Sequence, residues 1–381
     1  NMSVREFSID VSDETLKDLK SRLQSSRFSP QLNDVGWNNG TSSSYMREFL
    51  AYWLEEYDWR TQESYLNNHM PQYIASIEGI DLHFVHKKSL NPKALTLVMT
   101  HGWPGSFFEF HKVLEPLVHP EKFGGQISEA FDVLCPSLAG YAWSKPVYDQ
   151  PCDVVKIAER QLQLLQLLEI KHFGLQGGDW GGLVSPYMAL QSDSAVGLHL
   201  NSCTTRSTDD PEEAKLQGVV TGRSAVSIEY YREQKGYAVI QSLKPDQLAF
   251  GLNDSPLGLA AWIIQCFYMW SDHEGDLESR FTKDELITNI MIYWVTQSMP
   301  TAIRLYRESL LAGTFGPPKE YITTPTGVAL FKDIPIPKKE WAEEHYNICH
   351  WNEMTSGGHF AALEEPEQLI EDIRAFFGQL T

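Results

Sequence analysis

Residues 175–182 read Leu-Gln-Gly-Gly-Asp-Trp-Gly-Gly. They follow a short apolar run and precede residues 183–190, which are compatible with a helix apart from an early proline. A strand that turns sharply into a helix, with small residues two places before and two places after one central residue, has the pattern of a nucleophile elbow. The tight turn requires glycine at Gly177 and Gly181, because side chains there would clash with the strand or the helix. The stretch therefore predicts a strand–turn–helix unit that presents residue 179.

The central residue of this turn is Asp179, at a position where serine is usual. A carboxylate is already ionised at neutral pH, and the N-terminus of a helix favours negative charge. Attack by a carboxylate on an sp3 carbon forms an alkyl–enzyme ester, which water must then cleave. The same residues also fit a glycine-rich turn in which Asp179 only caps the helix. The rest of the chain has to decide between these two interpretations.

Composition narrows the classes of function. The chain has 381 residues, of which 42% are hydrophobic, enough for a packed core and against disorder. The net charge of -19 argues against nucleic-acid and anionic-membrane partners. The longest apolar stretch, residues 257–270, is too short to span a bilayer, and we expect a soluble, cytoplasmic protein. The five cysteines are scattered and are expected to be reduced core thiols; a homodimer remains an open possibility.

The order of patterns along the chain predicts an α/β fold in four parts. Residues 1–72 are expected to form a mostly helical layer. Residues 73–206 alternate strands with helices after a hairpin that turns near Glu78 and Gly79, which predicts a mostly parallel sheet flanked by helices. Residues 207–322 are rich in aromatic residues and are predicted to be helical, and the α/β alternation returns in residues 323–381. We expect the helical insertion to form a cap over the carboxyl ends of the strands.

Further candidate groups follow later strands. Asp333 comes after an apolar strand ending near residue 331, and His359 follows the next predicted strand. Together with Asp179 they give the chain order nucleophile, acid, histidine, with each group on a loop at one edge of the sheet. Glu340 and Glu353 are rival candidates for the acid, and Asp333 is favoured because it directly follows a strand.

A second turn predicts hydrogen-bond donors for the site. Residues 100–105 read Thr-His-Gly-Trp-Pro-Gly and follow a buried strand. A turn at this place supplies a backbone N–H to an oxyanion hole, beside the N–H of the residue after the nucleophile. The predicted donors are Trp103 and Trp180. We also expect a cis peptide bond between Trp103 and Pro104, since tight turns of this kind favour it.

These motifs resemble those of epoxide hydrolases with the α/β-hydrolase fold. The resemblance rests on residues 101–104 (His-Gly-Trp-Pro), 177–181 (Gly-Gly-Asp-Trp-Gly) and 357–366 (Gly-Gly-His-Phe-Ala-Ala-Leu-Glu-Glu-Pro). The N-terminal layer is most similar to that of the microsomal-type branch. We expect no membrane anchor like that of the microsomal enzymes, which favours their soluble fungal relatives.

The resemblance implies two cap tyrosines that hydrogen-bond the epoxide oxygen. Tyr237 lies in a context close to the microsomal-type motif, and Tyr306 is the choice for the second, with Tyr293 as its rival. The implied reaction converts a small-molecule epoxide into a vicinal diol through an ester on Asp179, which is hydrolysed by water activated by His359 and Asp333. No metal or organic cofactor is expected.

Other classes of function remain as alternatives. A haloalkane dehalogenase shares the aspartate nucleophile, the histidine base and a tryptophan after the nucleophile, but it needs donors that hold a halide ion. A non-catalytic receptor with this fold would typically have lost a catalytic residue. An ordinary serine esterase is disfavoured because position 179 is not serine.

Overall fold

A nine-stranded sheet forms the centre of the chain in a computed structural model that describes residues 4–205, 233–333 and 337–380. In chain order the strands are β1 (Val4–Phe7), β2 (Gln72–Ile77), β3 (Ile80–Lys87), β4 (Thr96–Thr100), β5 (Asp132–Pro136), β6 (Phe173–Gly177), β7 (Ala195–Leu200), β8 (Ile322–Leu330) and β9 (Tyr346–Glu353). Their spatial order is β1-β2-β3-β5-β4-β6-β7-β8-β9. β1, β2 and β3 are antiparallel, and β3 also pairs antiparallel with β5. Every pairing from β5 to β9 is parallel, so the predicted α/β fold is confirmed.

The hairpin between β2 and β3 turns where the sequence predicts. Glu78 has a φ of 53° and Gly79 a φ of 78°. Positive φ at both central residues is the geometry of a turn whose twist matches the flanking strands. The antiparallel edge of the sheet therefore begins with a two-residue connection.

The middle of the sheet is covered on both faces. All five residues of β4 and all five of β6 are buried, as expected for parallel strands packed between helices. The α/β helices of the chain are α4 (Leu114–Val118), α5 (Val154–Leu167), α6 (Gly181–Gln191), α12 (Lys339–Ala342), α13 (Ala361–Glu364) and α14 (Pro366–Gly378). This packing holds the carboxyl ends of the central strands in fixed positions.

The N-terminal layer contains more than helices. Its helices are α1 (Asp13–Gln24), α2 (Ser43–Glu55) and α3 (Trp59–His69). Before them β1 adds a strand to the edge of the sheet, paired with β2. The sequence predicts mainly helices here, because a four-residue strand of mixed polarity carries no clear alternation.

The described part of the cap is helical. Its helices are α7 (Gly236–Leu243), α8 (Pro245–Asp254), α9 (Pro256–Trp270), α10 (Lys283–Thr296) and α11 (Met299–Ala312). The predicted cap, residues 207–322, begins outside the described residues. β8 starts at Ile322, at the predicted return to the α/β core.

The N-terminal layer braces the cap. The hydroxyl of Tyr52 on α2 donates to Asp284 on α10 at 2.7 Å. Trp37 stacks on Tyr268 of α9, with ring centroids 3.9 Å apart and the planes 2° from parallel. The cap is therefore held against a second layer as well as against the sheet.

The cysteines agree with the sequence expectation at four positions and depart from it at one. Cys135, Cys152, Cys203 and Cys266 are free and buried, whereas Cys349 is free and exposed. Cys349 lies on β9, the last strand in the spatial order of the sheet. Among the described helices, none combines the length and the apolarity needed to cross a bilayer.

Candidate active site

The elbow holds Asp179 in a strained backbone conformation. Its φ is 53°, a left-handed conformation that costs a non-glycine residue about 1–3 kcal/mol. The turn is also closely packed, since a Cβ on Gly181 would lie 1.9 Å from the carbonyl oxygen of Thr100. A Cβ on Gly177 would lie 2.3 Å from the carbonyl oxygen of Gly181, so both predicted glycines are sterically required. The strain persists because the turn connects β6, which is paired with β4, directly to α6.

One carboxylate oxygen of Asp179 is bound by two backbone donors. The N–H groups of Trp103 and Trp180 both donate to Oδ1 at 2.8 Å. The turn after β4 exposes the first donor, and the expected cis peptide bond between Trp103 and Pro104 is confirmed. His101 fixes this turn, because its Nδ1 donates to the carbonyl of Gly102 at 2.9 Å while its Nε2 accepts from Leu138 N at 3.2 Å. The two N–H groups therefore form a cradle around this carboxylate oxygen.

The other carboxylate oxygen of Asp179 faces the imidazole of His359. The distance from Oδ2 to Nε2 is 3.1 Å. On the opposite side of the ring, Nδ1 lies 2.8 Å from Oδ2 of Asp333. Glu340 and Glu353, the rival acids, are both exposed. The structure thus brings together the three groups that the sequence lists in the order nucleophile, acid, histidine.

The charges of these groups act on one another. Burial alone would raise the pKa of Asp179, but the hydrogen bond and charge of His359, with the N–H groups of Trp103 and Trp180, hold it below its usual value. Burial alone would lower the pKa of His359, yet the carboxylates of Asp333 and Asp179 raise it well above its usual value. The resting site therefore favours an anionic Asp179 beside a cationic imidazole.

Two tyrosines of the cap helices lie close to the side chains of the two tryptophans that supply these N–H groups. The ring of Tyr306 on α11 is 4.8 Å from that of Trp180 and 5.7 Å from that of Trp103. The ring of Tyr237 on α7 stacks 5.5 Å from Trp103, and the two tyrosine rings are 6.1 Å apart. Burial, with Tyr237 and Asp179 nearby, raises the pKa of Tyr306 well above its usual value, so its hydroxyl stays protonated.

The third tyrosine considered from the sequence has a different hydrogen-bond partner. The hydroxyl of Tyr293 on α10 donates to the carbonyl of Gly105 at 2.6 Å. This bond ties α10 to the turn after β4. The geometry therefore favours Tyr306 over Tyr293 as the partner of Tyr237.

The loop that carries His359 is fastened by residues that the sequence does not single out. Glu364 accepts hydrogen bonds from the N–H groups of Gly358 at 3.0 Å, Phe360 at 2.9 Å and Asp272 at 2.7 Å. Burial raises the pKa of Glu364 to about 7 although these donors oppose the shift. His359 itself donates its N–H to the carbonyl of Trp270 at 2.9 Å. Since Trp270 and Asp272 belong to the cap, the loop is joined to both parts of the molecule.

An arginine from the cap completes this attachment. Arg280 donates to Glu365 at 2.8 Å, to Ser356 at 2.7 Å and to the carboxylate of Asp272 at 3.1 Å. We call Asp272, Arg280, Glu364 and Glu365 the cap–loop clamp. Both glutamates belong to the motif at residues 357–366, which was the only sequence signal for their role. Their partners in the cap are too distant in sequence to be predicted from that motif. In the described parts of the chain, no three His, Cys, Asp or Glu side chains converge as metal ligands.

Comparisons with known proteins agree with this geometry. Residues 4–110 match the family described as epoxide hydrolase N terminus, and residues 96–221 match the family described as alpha/beta hydrolase fold. Epoxide hydrolase 1 of Sus scrofa is 37% identical over 417 residues, covering 99% of this chain and 89% of that protein. The crystal structure of juvenile hormone epoxide hydrolase from Bombyx mori superposes with a TM-score of 0.86 at 31% identity, covering 100% of this chain and 94% of that one. The structure of Aspergillus niger epoxide hydrolase gives a TM-score of 0.84 at 29% identity, covering 100% and 97%.

The parallel sheet, the strained elbow and the hydrogen-bonded groups at its strand ends define an α/β hydrolase. An aspartate stands where most of this class have serine, and the similarity to the pig enzyme extends along 99% of the chain. The chain belongs to the microsomal-type epoxide hydrolase family and has the activity of that family.

Proposed function

We propose that this enzyme opens an epoxide through a covalent ester on Asp179. The observation that supports the proposal is that the two carboxylate oxygens of Asp179 have different partners. Oδ1 accepts two backbone hydrogen bonds at 2.8 Å, whereas Oδ2 lies 3.1 Å from the imidazole. Oδ2 is thus the oxygen that attacks a ring carbon, and Oδ1 becomes the carbonyl oxygen of the ester.

In the first step a bond forms between Oδ2 and a ring carbon while the bond from that carbon to the ring oxygen breaks. The alkoxide that develops takes a proton from Tyr237 or Tyr306 and is stabilised by a hydrogen bond from the other. A phenol suits this role because its pKa near 10 keeps it protonated at neutral pH. The aromatic surroundings of these hydroxyls favour epoxides with apolar substituents.

In the second step His359 removes a proton from a water molecule, whose oxygen bonds to the carbonyl carbon of the ester. The N–H groups of Trp103 and Trp180 stabilise the oxyanion at Oδ1. The intermediate collapses, the bond from the alkyl oxygen to the carbonyl carbon breaks, and that oxygen takes the proton from His359. The diol leaves, and the remaining hydrogen of the water passes from the new carboxyl group to His359, which restores the carboxylate of Asp179 and the imidazolium of the resting site. The proton that His359 loses before this step returns to the tyrosine that gave one up in the first step.

Alkylation also prepares the base for this second step. In the resting enzyme the charges of Asp333 and Asp179 raise the pKa of His359. Esterification removes the negative charge of Asp179 and weakens the hydrogen bond that its carboxylate accepts from His359. The pKa of His359 therefore falls. The pH profile of ester hydrolysis should therefore show a lower pKa for His359 than the pKa that His359 has in the free enzyme. Imidazole NMR of the free enzyme, set against the pH profile of single-turnover hydrolysis, measures both.

The proposal is tested by trapping the ester. With Asp179→Asn we expect turnover to fall by at least about 10⁴-fold. With His359→Gln, mass spectrometry after incubation with styrene oxide should find an adduct on the peptide that contains residue 179. A single turnover of the unmodified enzyme in ¹⁸O-water should put the label into Asp179 and leave it out of the first diol. An adduct on another peptide, or labelled diol in the first turnover, would contradict the mechanism.

One feature of the site bears on dehalogenation as a second reaction. The indole N–H of Trp180 is buried and has no hydrogen-bond partner among the described residues, which makes it one available donor for a departing halide. The indole N–H of Trp103 instead donates to the sulfur of Met299 at 3.3 Å. Holding a halide is better served by two such donors, so the arrangement favours epoxide opening. Halide release from a chlorinated alkane, compared with diol from styrene oxide, measures the preference.

A further inference from the structure

A small cavity lies next to Asp179 and His359 on the core side of the site. Its volume is about 20 Å³, and the polar side chains that line it belong to Thr100, His101, Glu109, Asp179, Asn201 and His359. A volume of about 10–15 Å³ is enough to hold one water molecule. Of the described residues, none from the cap lines the cavity, so Tyr237 and Tyr306 stand outside it. It is a water-sized space that touches the nucleophile and the base without touching the groups proposed to hold the epoxide oxygen.

Glu109 is the carboxyl group of this cavity that the mechanism above leaves without a role. It lies in a 3₁₀ turn, Phe107–Phe110, that follows the oxyanion turn. Its Oε2 accepts a hydrogen bond from the N–H of Gly102 at 3.3 Å. Gly105 makes room for this position, because a Cβ there would lie 1.9 Å from the same oxygen. The sequence thus folds a carboxyl group back against the turn that supplies Trp103 N–H.

The surroundings of Glu109 favour its neutral form. Burial raises its pKa to about 8, although the N–H of Gly102 and the charge of His359 oppose this shift. A neutral carboxyl group avoids placing a second negative charge beside Asp179. Its oxygens still accept hydrogen bonds, so Glu109 offers the cavity an acceptor at little electrostatic cost.

We propose that this cavity holds the hydrolytic water and that Glu109 positions it for attack on the ester, an inference that rests on the proposed function. A bound water needs about two to four polar partners. One water hydrogen points at Nε2 of His359 and is removed as the bond to the ester carbon forms. The second hydrogen is accepted by Glu109, which aims a lone pair of the water at the carbonyl carbon of Asp179. Glu109 is then a positioning residue for the second step alone.

This role predicts a separation of the two half-reactions. Glu109→Leu should leave the alkylation rate within about threefold and slow ester hydrolysis about 10²-fold, a typical cost of losing the orientation of a reacting group. Glu109→Gln keeps an acceptor oxygen in nearly the same place, so it should recover most of that loss. Stopped-flow tryptophan fluorescence with styrene oxide resolves both rates in one experiment. A purely structural role would instead change both steps together, or change neither.

Matched variants separate the outcomes. Glu63→Gln alters a buried glutamate of the N-terminal layer, which bonds Val11 N at 2.9 Å, and should leave both rates unchanged. Ala362→Val narrows the cavity from another wall and should slow hydrolysis with Glu109 intact, which keeps the test open if Glu109→Leu does not fold. Normal hydrolysis in Glu109→Leu, or in Ala362→Val where the former fails to fold, overturns the water site. The absence of any ester on Asp179 in His359→Gln would instead reject the proposed function.

Discussion

The two walls of the site differ in their described contacts. On the core side, Asp179, His359 and Asp333 are linked to one another and to backbone N–H groups by contacts of 2.8–3.1 Å. On the cap side, the rings of Tyr237 and Tyr306 pack among aromatic rings with centroid distances of 4.8–6.1 Å. Hydrogen bonds fix the direction of a group as well as its distance, whereas ring packing fixes mainly the space that it occupies. The core wall should therefore tolerate substitution least, and the cap wall should respond in smaller steps.

The largest effect is expected where the core wall loses a directed bond. Asp333→Asn removes the carboxylate that bonds Nδ1 of His359 at 2.8 Å and that raises its pKa. The imidazole then loses both its orientation and part of its basicity, and hydrolysis should slow about 10³–10⁴-fold. Alkylation should be nearly normal, so the ester on Asp179 should accumulate and be visible by mass spectrometry. Unimpaired turnover would show that another group orients the imidazole, and Glu340→Gln, at an exposed site, is the control.

The second-largest effect is expected on the alkylation rate when one of two tyrosines on neighbouring cap helices is replaced. Tyr306→Phe removes a hydroxyl beside the cradle and should slow alkylation about 10²-fold, the usual cost of losing one transition-state donor. Tyr293→Phe removes only the bond to the Gly105 carbonyl and should cost about 1 kcal/mol of stability with little change in the alkylation rate. Burst kinetics and thermal unfolding of the two variants give the comparison. If Tyr293→Phe is the slower enzyme, the assignment of the second tyrosine is reversed.

A smaller effect is expected from packing alone. The ring of Phe315 lies 4.9 Å from Trp180 and 5.6 Å from Tyr306. Aromatic contacts of this kind contribute about 0.5–1.5 kcal/mol, so Phe315→Leu should slow alkylation about 2–10-fold by loosening Tyr306. Phe250→Leu is the matched control, because Phe250 is 81% exposed. A loss above 10²-fold would mean that ring packing holds the cap wall as rigidly as hydrogen bonds hold the core wall.

The smallest effect on turnover is expected from a hydrogen-bonded group of the core that lies outside the site. Asp372 on α14 bonds His199 at 2.6 Å, His350 at 2.9 Å and Asn352 at 2.7 Å. Burial would raise the pKa of Asp372, but the hydrogen bond and charge of His199, with Asn352 and His350, lower it to about 2. Because the folded-state pKa lies below the ordinary value of about 3.9, the ionised group stabilises the protein above pH 4, and this contribution is lost as the pH falls toward 2.

Asp372→Asn should therefore leave the rate at pH 7 unchanged and lower the unfolding free energy by about 1–3 kcal/mol. Urea unfolding between pH 3 and 7 checks this, since the difference between the two proteins should shrink in acid. A difference that stays constant with pH would mean that the lost contacts, and not the charge, account for the change. The result would sharpen the contrast between bonds that position the reacting groups and bonds that only support the sheet.

The same contrast explains what the sequence could predict. The elbow, the oxyanion turn and the order of Asp179, Asp333 and His359 depend on local turn chemistry and on strand ends, which leave clear signals. The strand β1 and the role of Glu364 were not predictable, because they depend on partners far away in the chain. The choice between Tyr293 and Tyr306 depends on how α10 and α11 lie against the cradle, which helical spacing alone does not determine. The predicted start of the cap at residue 207 lies outside the described residues, because residues 206–232 are not among them.

The cap–loop clamp has a consequence for transplanting substrate preference between relatives. His359 donates its backbone N–H to Trp270, and Arg280 joins Glu365 to Asp272, so the loop that carries His359 is held partly by residues of the insertion. A chimaera that exchanges the insertion alone would replace one partner of each of these bonds and misalign the imidazole of His359 even where the new substrate fits. Residues 270–280 and 356–365 should therefore be exchanged together when the cap of a relative is transferred to this enzyme.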